Sequence, residues 1–229
     1  MSQRIAVYNR ATAPLGLDLA AFVEALNAYV ATAVEPAWNL SAELHVSAGP
    51  VAGEWGMVFL DNADVGGGVL AYHDEEQDTP LAKVFVDTIR QAGASLTVAA
   101  SHELVEMLVD PYCDCYTVTQ NPQTLMAYEA ADPVEDDSLA FEVAGFTVSD
   151  FVYPVWFDAT RPAGSTRFDH QGVLDRPLQV HSGGYTITLT NGAVNETFGS
   201  KEKAEAFALE DRRGHRSELR RAKIAQVYR

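Results

Sequence analysis

One histidine and two glutamates stand close together at His102, Glu103 and Glu106, inside the run Ala99-Ala-Ser-His-Glu-Leu-Val-Glu-Met-Leu-Val-Asp-Pro111. On an α-helix, positions four apart project within about 40° of one another. His102 and Glu106 therefore share a face and can hold one divalent ion together. Glu103 lies about 100° round the axis from His102, beside such an ion, where a carboxylate can take a proton from water as a general base. Leu104 projects away from His102 and Leu108 leans the same way, giving the helix an apolar packing face. The chemistry this pattern suits is hydrolysis of a peptide or amide, in which an activated water attacks a carbonyl.

Two donors do not complete a metal site, which needs at least three protein ligands in a tight cluster. Asp110 is offset by about 80° from His102 and rises about 12 Å along a straight helix, so it reads as a helix-end residue bonding nearby backbone. Further donors must come from another stretch, and the next dense acidic motif is Tyr128-Glu129-Ala-Ala-Asp132-Pro133. Carboxylates gathered in this way repel one another, and burial penalises their charge. A cation offsets both costs. One imidazole with two carboxylates is a hard donor set that accepts calcium, manganese or iron as well as zinc; zinc is the first expectation.

The string Ser101-His-Glu-Leu-Val-Glu-Met-Leu-Val-Asp-Pro111, followed by Glu129-Ala-Ala-Asp132-Pro133, resembles the motif helix of zincin-like metallopeptidases. It resembles more particularly a group of bacterial and phage-associated proteins with a His-Glu-x-x-Glu motif. Glu106 stands where the familiar peptidases place histidine. The resemblance implies an α+β, zincin-like fold with a mixed sheet, helices on one side, and an edge strand above the motif helix lining the cleft. It implies a metal held by His102, Glu106 and Glu129, with Asp132 or Asp110 as an outer partner or additional ligand, and Glu103 as general base. The alternative reading is a non-catalytic structural component of a phage particle or similar assembly that keeps the fold.

The rest of the chain must position these groups. Expected strands run over 4–8, 43–47, 55–60, 69–73 and 83–89, and a long amphipathic helix capped by Asp18 ends at Pro36. Asp61 and Asp64 read as a solvated turn, 74–80 as an acidic loop, and His73 as a surface histidine. Ser95 can cap the motif helix. Hairpins are expected at 141–148 and at Asn191-Gly192, a strong two-residue turn signal. Ser200 would start a charged helix. The expected division is a metal-site domain over 1–157, a loop and hairpin extension over 158–199, and a charged helical tail over 200–229.

Charge is distributed unevenly. Residues 201–229 carry nine Lys or Arg against five Asp or Glu, while 1–200 carry seven against 27, for a net charge of -16. The acidic body argues against nucleic acid. The basic tail suits an acidic partner, such as another copy of the chain or an assembly protein. No apolar run is long enough for a membrane span, and the N-terminus lacks a signal-peptide core, so a cytoplasmic location, or incorporation into a phage particle, is expected. Cys113 and Cys115 are one residue apart and would point to opposite faces of a strand, so free thiols are expected. No Gly-x-Ser-x-Gly, phosphate-loop or dinucleotide fingerprint occurs.

Overall fold

The computed structural model describes residues 2–65, 68–209, 220, 222 and 223. The expected tail is thus described only through its first helix and three further positions. Arg212, Arg213 and Arg221 lie outside the described residues.

Strand β1 (Gln3–Asn9) is followed by α1 (Leu19–Tyr29), whose Asp18 carboxylate accepts from the amides of Ala20 and Ala21. Pro36 does not end this helix. The chain widens into a π turn at Val30–Val34, with the Glu35 amide donating to the Val30 carbonyl, and continues as α2 (Glu35–Trp38). Pro36 then falls in a first turn, where its missing N–H is not needed. Asn39 stops the helix in the left-handed conformation, at φ 56°.

Strands β2 (Ala42–Val46), β3 (Trp55–Leu60), β4 (Ala71–Glu76) and β5 (Thr79–Phe85) join β1 in a five-stranded mixed sheet of order β2-β1-β3-β5-β4. All neighbours are parallel except the edge strand β4, which runs antiparallel to β5. The expected loop over 74–80 is a tight hairpin. Gln77 and Asp78 both take positive φ, 52° and 60°, as a type I′ turn requires. That turn moves β5 towards the N-terminus, so Val86–Ile89 is not strand but the start of α3 (Val86–Ala92), stopped by Gly93 at φ 69°. Asp61 accepts from the amides of Thr12 and Ala13, and Asp64 pairs with Lys83 at 2.6 Å, so both aspartates brace loops.

The sheet packs its helices on one face. Ile5, Val7, Met57, Phe59, Ala82 and Val84 meet Phe22 and Leu26 of α1 and Leu104, Val105 and Leu108 of α4 (Leu96–Val109). Alternate residues, Tyr8, Val58 and Leu81, form a small cluster on the other face. Helix α4 lies against β4 and β5. The architecture is therefore α+β around a mixed sheet. No described helix is long and apolar enough to cross a membrane.

Beyond α4, strands β6 (Tyr116–Val118) and β7 (Thr124–Ala127) precede the hairpin β8 (Phe141–Val143) and β9 (Phe146–Val148). Strands β10 (Tyr185–Thr190) and β11 (Ala193–Phe198) then complete a second sheet of order β11-β10-β7-β6, and α5 (Lys201–Leu209) follows. Asn191 and Gly192 make the expected turn, with φ of 51° and 81°. The expected boundary at 157 falls inside this packing, because β7 before it pairs with β10 after it. Trp156 is buried beneath the loop that follows, donating to the Gln179 carbonyl.

Gly184 ties this second sheet to the acidic motif. A Cβ there would stand 2.3 Å from the Pro133 carbonyl oxygen and 2.7 Å from that of Asp132. Both contacts are with backbone, which cannot swing aside. Gly184→Ala is expected to destabilise by about 1–3 kcal/mol; urea unfolding of the variant checks it.

Candidate metal centre

Helix α4 is capped by Ser95, whose Oγ accepts from the Val98 amide, and ends at Asp110 before Pro111. Residues 100 to 108 are buried on every side. Such a helix tolerates polar side chains only where they find partners. Ser101 donates to the carbonyls of Thr97 and Val98 and accepts from the Ser149 amide. The remaining polar groups, His102, Glu103 and Glu106, face one another and two other segments.

His102 Nε2 lies 3.4 Å from Glu106 Oε2 and 3.2 Å from Asp132 Oδ1. Glu106 Oε1 accepts from the amides of Ala131 and Asp132, each at 3.1 Å. Those two bonds fix the glutamate and draw the 131–132 turn onto the helix. One donor atom from each of His102, Glu106 and Asp132 lies within 4.8 Å of the other two. Burial alone lowers the basicity of His102, but the Glu106 carboxylate, then Asp132 and Glu103, raise its pKa well above the ordinary imidazole value. The cluster thus attracts positive charge to this spot, as a proton or as a metal ion.

Glu129, the expected third ligand, is held elsewhere: Arg220 donates to its Oε1 from Nε at 3.0 Å and Nη2 at 2.7 Å. Asp132, expected as an outer partner or an additional ligand, stands in the His102 group. The two residues are three apart in one acidic motif, and the distinction is made by backbone path. Glu129 lies two residues past the end of β7, whereas Asp132-Pro133 opens a 3-10 turn over Asp132–Val134. Asp110 caps α4 as expected, accepting from the amides of Asp114 and Cys115, and it also meets Arg220 Nη2 at 3.0 Å. Cys113 and Cys115 are free.

His73 is not on the surface; it is fully buried on the edge strand β4. It pairs with Ala82 across the ladder, so its ring points to the helix-bearing face. Nδ1 lies 3.2 Å from Glu103 Oε2 and Nε2 lies 3.0 Å from the Asp110 carbonyl oxygen. The missed signal is the period-two alternation through Glu76, legible only once 74–80 is recognised as a hairpin.

His102, Glu103 and Asp132 open onto a cleft of about 90 Å³. Its walls come from the chain entering β4, from Tyr185 of β10 and Glu196 of β11, and from Phe207 of α5. Among the described residues of the tail, Arg220 meets Asp110 and Glu129, and Lys223 meets Asp74 and Glu75, all acidic groups of the same chain. No protein-family model matches the chain, and neither does any curated protein or solved structure.

Proposed function

We propose that this protein is a zincin-like metal-binding hydrolase acting on peptide or amide bonds, with His102, Glu106 and Asp132 holding a divalent ion and Glu103 as general base. One observation carries the reading: three buried donors of the right chemistry converge within 4.8 Å, on a helix whose Glu103 lines the adjoining cleft. An imidazole and two carboxylates suit zinc first, and also calcium, manganese or iron. The resemblance implies an edge strand by the motif helix that lines the cleft, and β4 packs beside α4 with Ala71 and Tyr72 in the cleft wall.

When bound, a divalent ion supplies a Lewis acid that polarises a carbonyl and makes water more acidic. Glu106 is held for that task by two backbone amides. Glu103 sits next to His102 at the cleft wall, takes the proton from the attacking water, and returns it to the leaving amine. His73 orients the Glu103 carboxylate through its Nδ1 contact.

Metal-free protein loaded with zinc, desalted and offered a labelled peptide library tests this. Glu103→Gln is expected to keep the ion at His102, Glu106 and Asp132 and to lose about 10²–10⁴-fold in rate. No zinc uptake by the wild type rejects the metal reading. Zinc uptake without turnover supports the second reading, a structural component of a phage particle or similar assembly. Cleft size favours that second reading, since about 90 Å³ holds several waters rather than a length of peptide.

A further inference from the structure

We infer that the protein holds a small organic anion, a carboxylate carried on an apolar body, in a cavity on the face of the five-stranded sheet opposite the helices. The inference does not depend on the metal reading, because the cavity lies across the sheet from α4. Its floor is Tyr8 of β1, Val58 and Leu60 of β3, and Leu81 of β5. Their sequence neighbours Val7, Met57, Phe59 and Ala82 belong to the core under the helices. Alternation along a strand puts the two sets on opposite faces.

The first observation is shape. A sheet of mainly parallel strands is ordinarily covered on both faces. Here the apolar cluster of the second face contains no helix residue. The loop between β2 and β3, at residues 50–53, and the hairpin between β4 and β5, at Gln77 and Pro80, stand around it instead. The space they surround is about 560 Å³, within the range of small-molecule sites, about 300–1,000 Å³. The cleft beside His102, at about 90 Å³, falls well short of that range.

The second observation is charge. Arg10, Glu54, Glu76 and Lys83 line the cavity. Glu54 is matched by Arg4 at 2.7 Å and His45 at 2.6 Å, and Lys83 by Asp64 at 2.6 Å. Glu76 is exposed beside the hairpin turn, where water satisfies a carboxylate. Arg10 has no ion-pair partner among the described residues, in a chain whose net charge is -16. Its guanidinium lies 5.7 Å from the Tyr8 ring centroid. Its Nη2 reaches the loop wall, 3.6 Å from where a Cβ on Gly49 would stand. The guanidinium therefore spans from floor to wall at the lip of an apolar cavity. It offers a carboxylate two parallel hydrogen bonds, while the floor takes the body of the same molecule. A neutral ligand leaves that fork unused, and a cationic one is repelled by it.

The test is calorimetric titration of the full chain with naphthoate, naphthamide and naphthylmethylamine, which share one apolar body and differ in charge. Naphthoate is expected to bind saturably and about threefold to tenfold tighter than naphthamide, the worth of a bidentate ion pair at a solvated lip. Arg10→Gln is expected to bring the two to equal affinity, and Arg10→Lys to restore part of the difference. Arg10 is exposed, so both variants are expected to fold, as judged by circular dichroism; a reduced preference in Arg10→Lys decides the matter should Arg10→Gln not fold. Absence of saturable naphthoate binding overturns the inference. So does equal binding of the three probes, tighter binding of the amine, or a naphthoate preference that survives Arg10→Gln. Sedimentation velocity tests the rival occupant, a second copy of the chain: a dimer that Arg10→Gln dissociates, with no naphthoate uptake, overturns the inference too.

Discussion

Arg220→Ala is expected to lower the free energy of unfolding by about 3–5 kcal/mol, the range for removing one partner of a buried ion pair. The Arg220 side chain is 0% exposed, as is that of Asp110, and Glu129 is 2% exposed. Its Nη2 meets Glu129 at 2.7 Å and Asp110 at 3.0 Å, Nη1 donates to the Cys113 carbonyl at 2.9 Å, and the guanidinium lies 5.1 Å over the Tyr116 ring. Burial alone would weaken the charge, but the Glu129 carboxylate outweighs it and the group stays protonated. Alanine removes the cation that faces both carboxylates and leaves them in a low-dielectric interior. Lysine would restore one charge but not the planar fork that reaches two carboxylates and a carbonyl together. Arg220→Lys is therefore expected to recover only part of the loss. Urea unfolding followed by tryptophan fluorescence measures both variants. A loss below about 1 kcal/mol, the level of an exposed pair, would show that the slot is solvated.

The second large effect is one of pH. Asp150 is buried, and its Oδ1 accepts from the amides of Phe151 and Gln171. Its Oδ2 has no hydrogen-bond donor among the described residues. Its neighbour Asp169 is buried too, and both of that residue's oxygens are taken by the amides of Val173 and Leu174. Burial first, and the Asp169 carboxylate second, push the Asp150 pKa up to about 8. The folded state therefore binds a proton more tightly than the unfolded chain, whose aspartate titrates near 3.9. Stability from this group is full below about pH 4 and is lost as pH rises towards 8, at up to about 1.4 kcal/mol per unit. Asp150→Asn keeps the acceptor oxygen, adds a donor facing Asp169, and cannot ionise. The variant is expected to show a flatter alkaline limb and to overtake the wild type before pH 8. Urea midpoints at pH 5, 6.5 and 8 decide it, and parallel curves for the two proteins would refute it.

Local rules carried much of the fold and the helix half of the site. Asp18 and Ser95 cap where they should, and Asn191-Gly192 turns where it should, because each acts within four residues of itself. His102, Glu103 and Glu106 were legible for the same reason, since helical spacing alone puts them together. What was not legible depends on distant backbone. His73 read as exposed because the hairpin turn at Gln77-Asp78 carries neither Gly nor Asn. Asp132 could not be told from Glu129 while the path after β7 was unknown. Arg220 lies 91 residues from Glu129 and 110 from Asp110, and no periodicity reports such a pairing. Pro36 failed as a stop because a π turn can absorb it.

The first strand sits second in its sheet, between β2 and β3, in parallel register with both. No tight turn can make either pairing. Gln3 must find Ala42, and Ile5 must find Trp55, across connections that return nothing until they close. Refolding is therefore governed by slow, collective closure of long loops rather than by a locally formed nucleus. Helix α4 has no platform until that closure is done, and His73 joins it only when the edge hairpin docks. The groups of the candidate metal centre are accordingly a late product of assembly, not its seed.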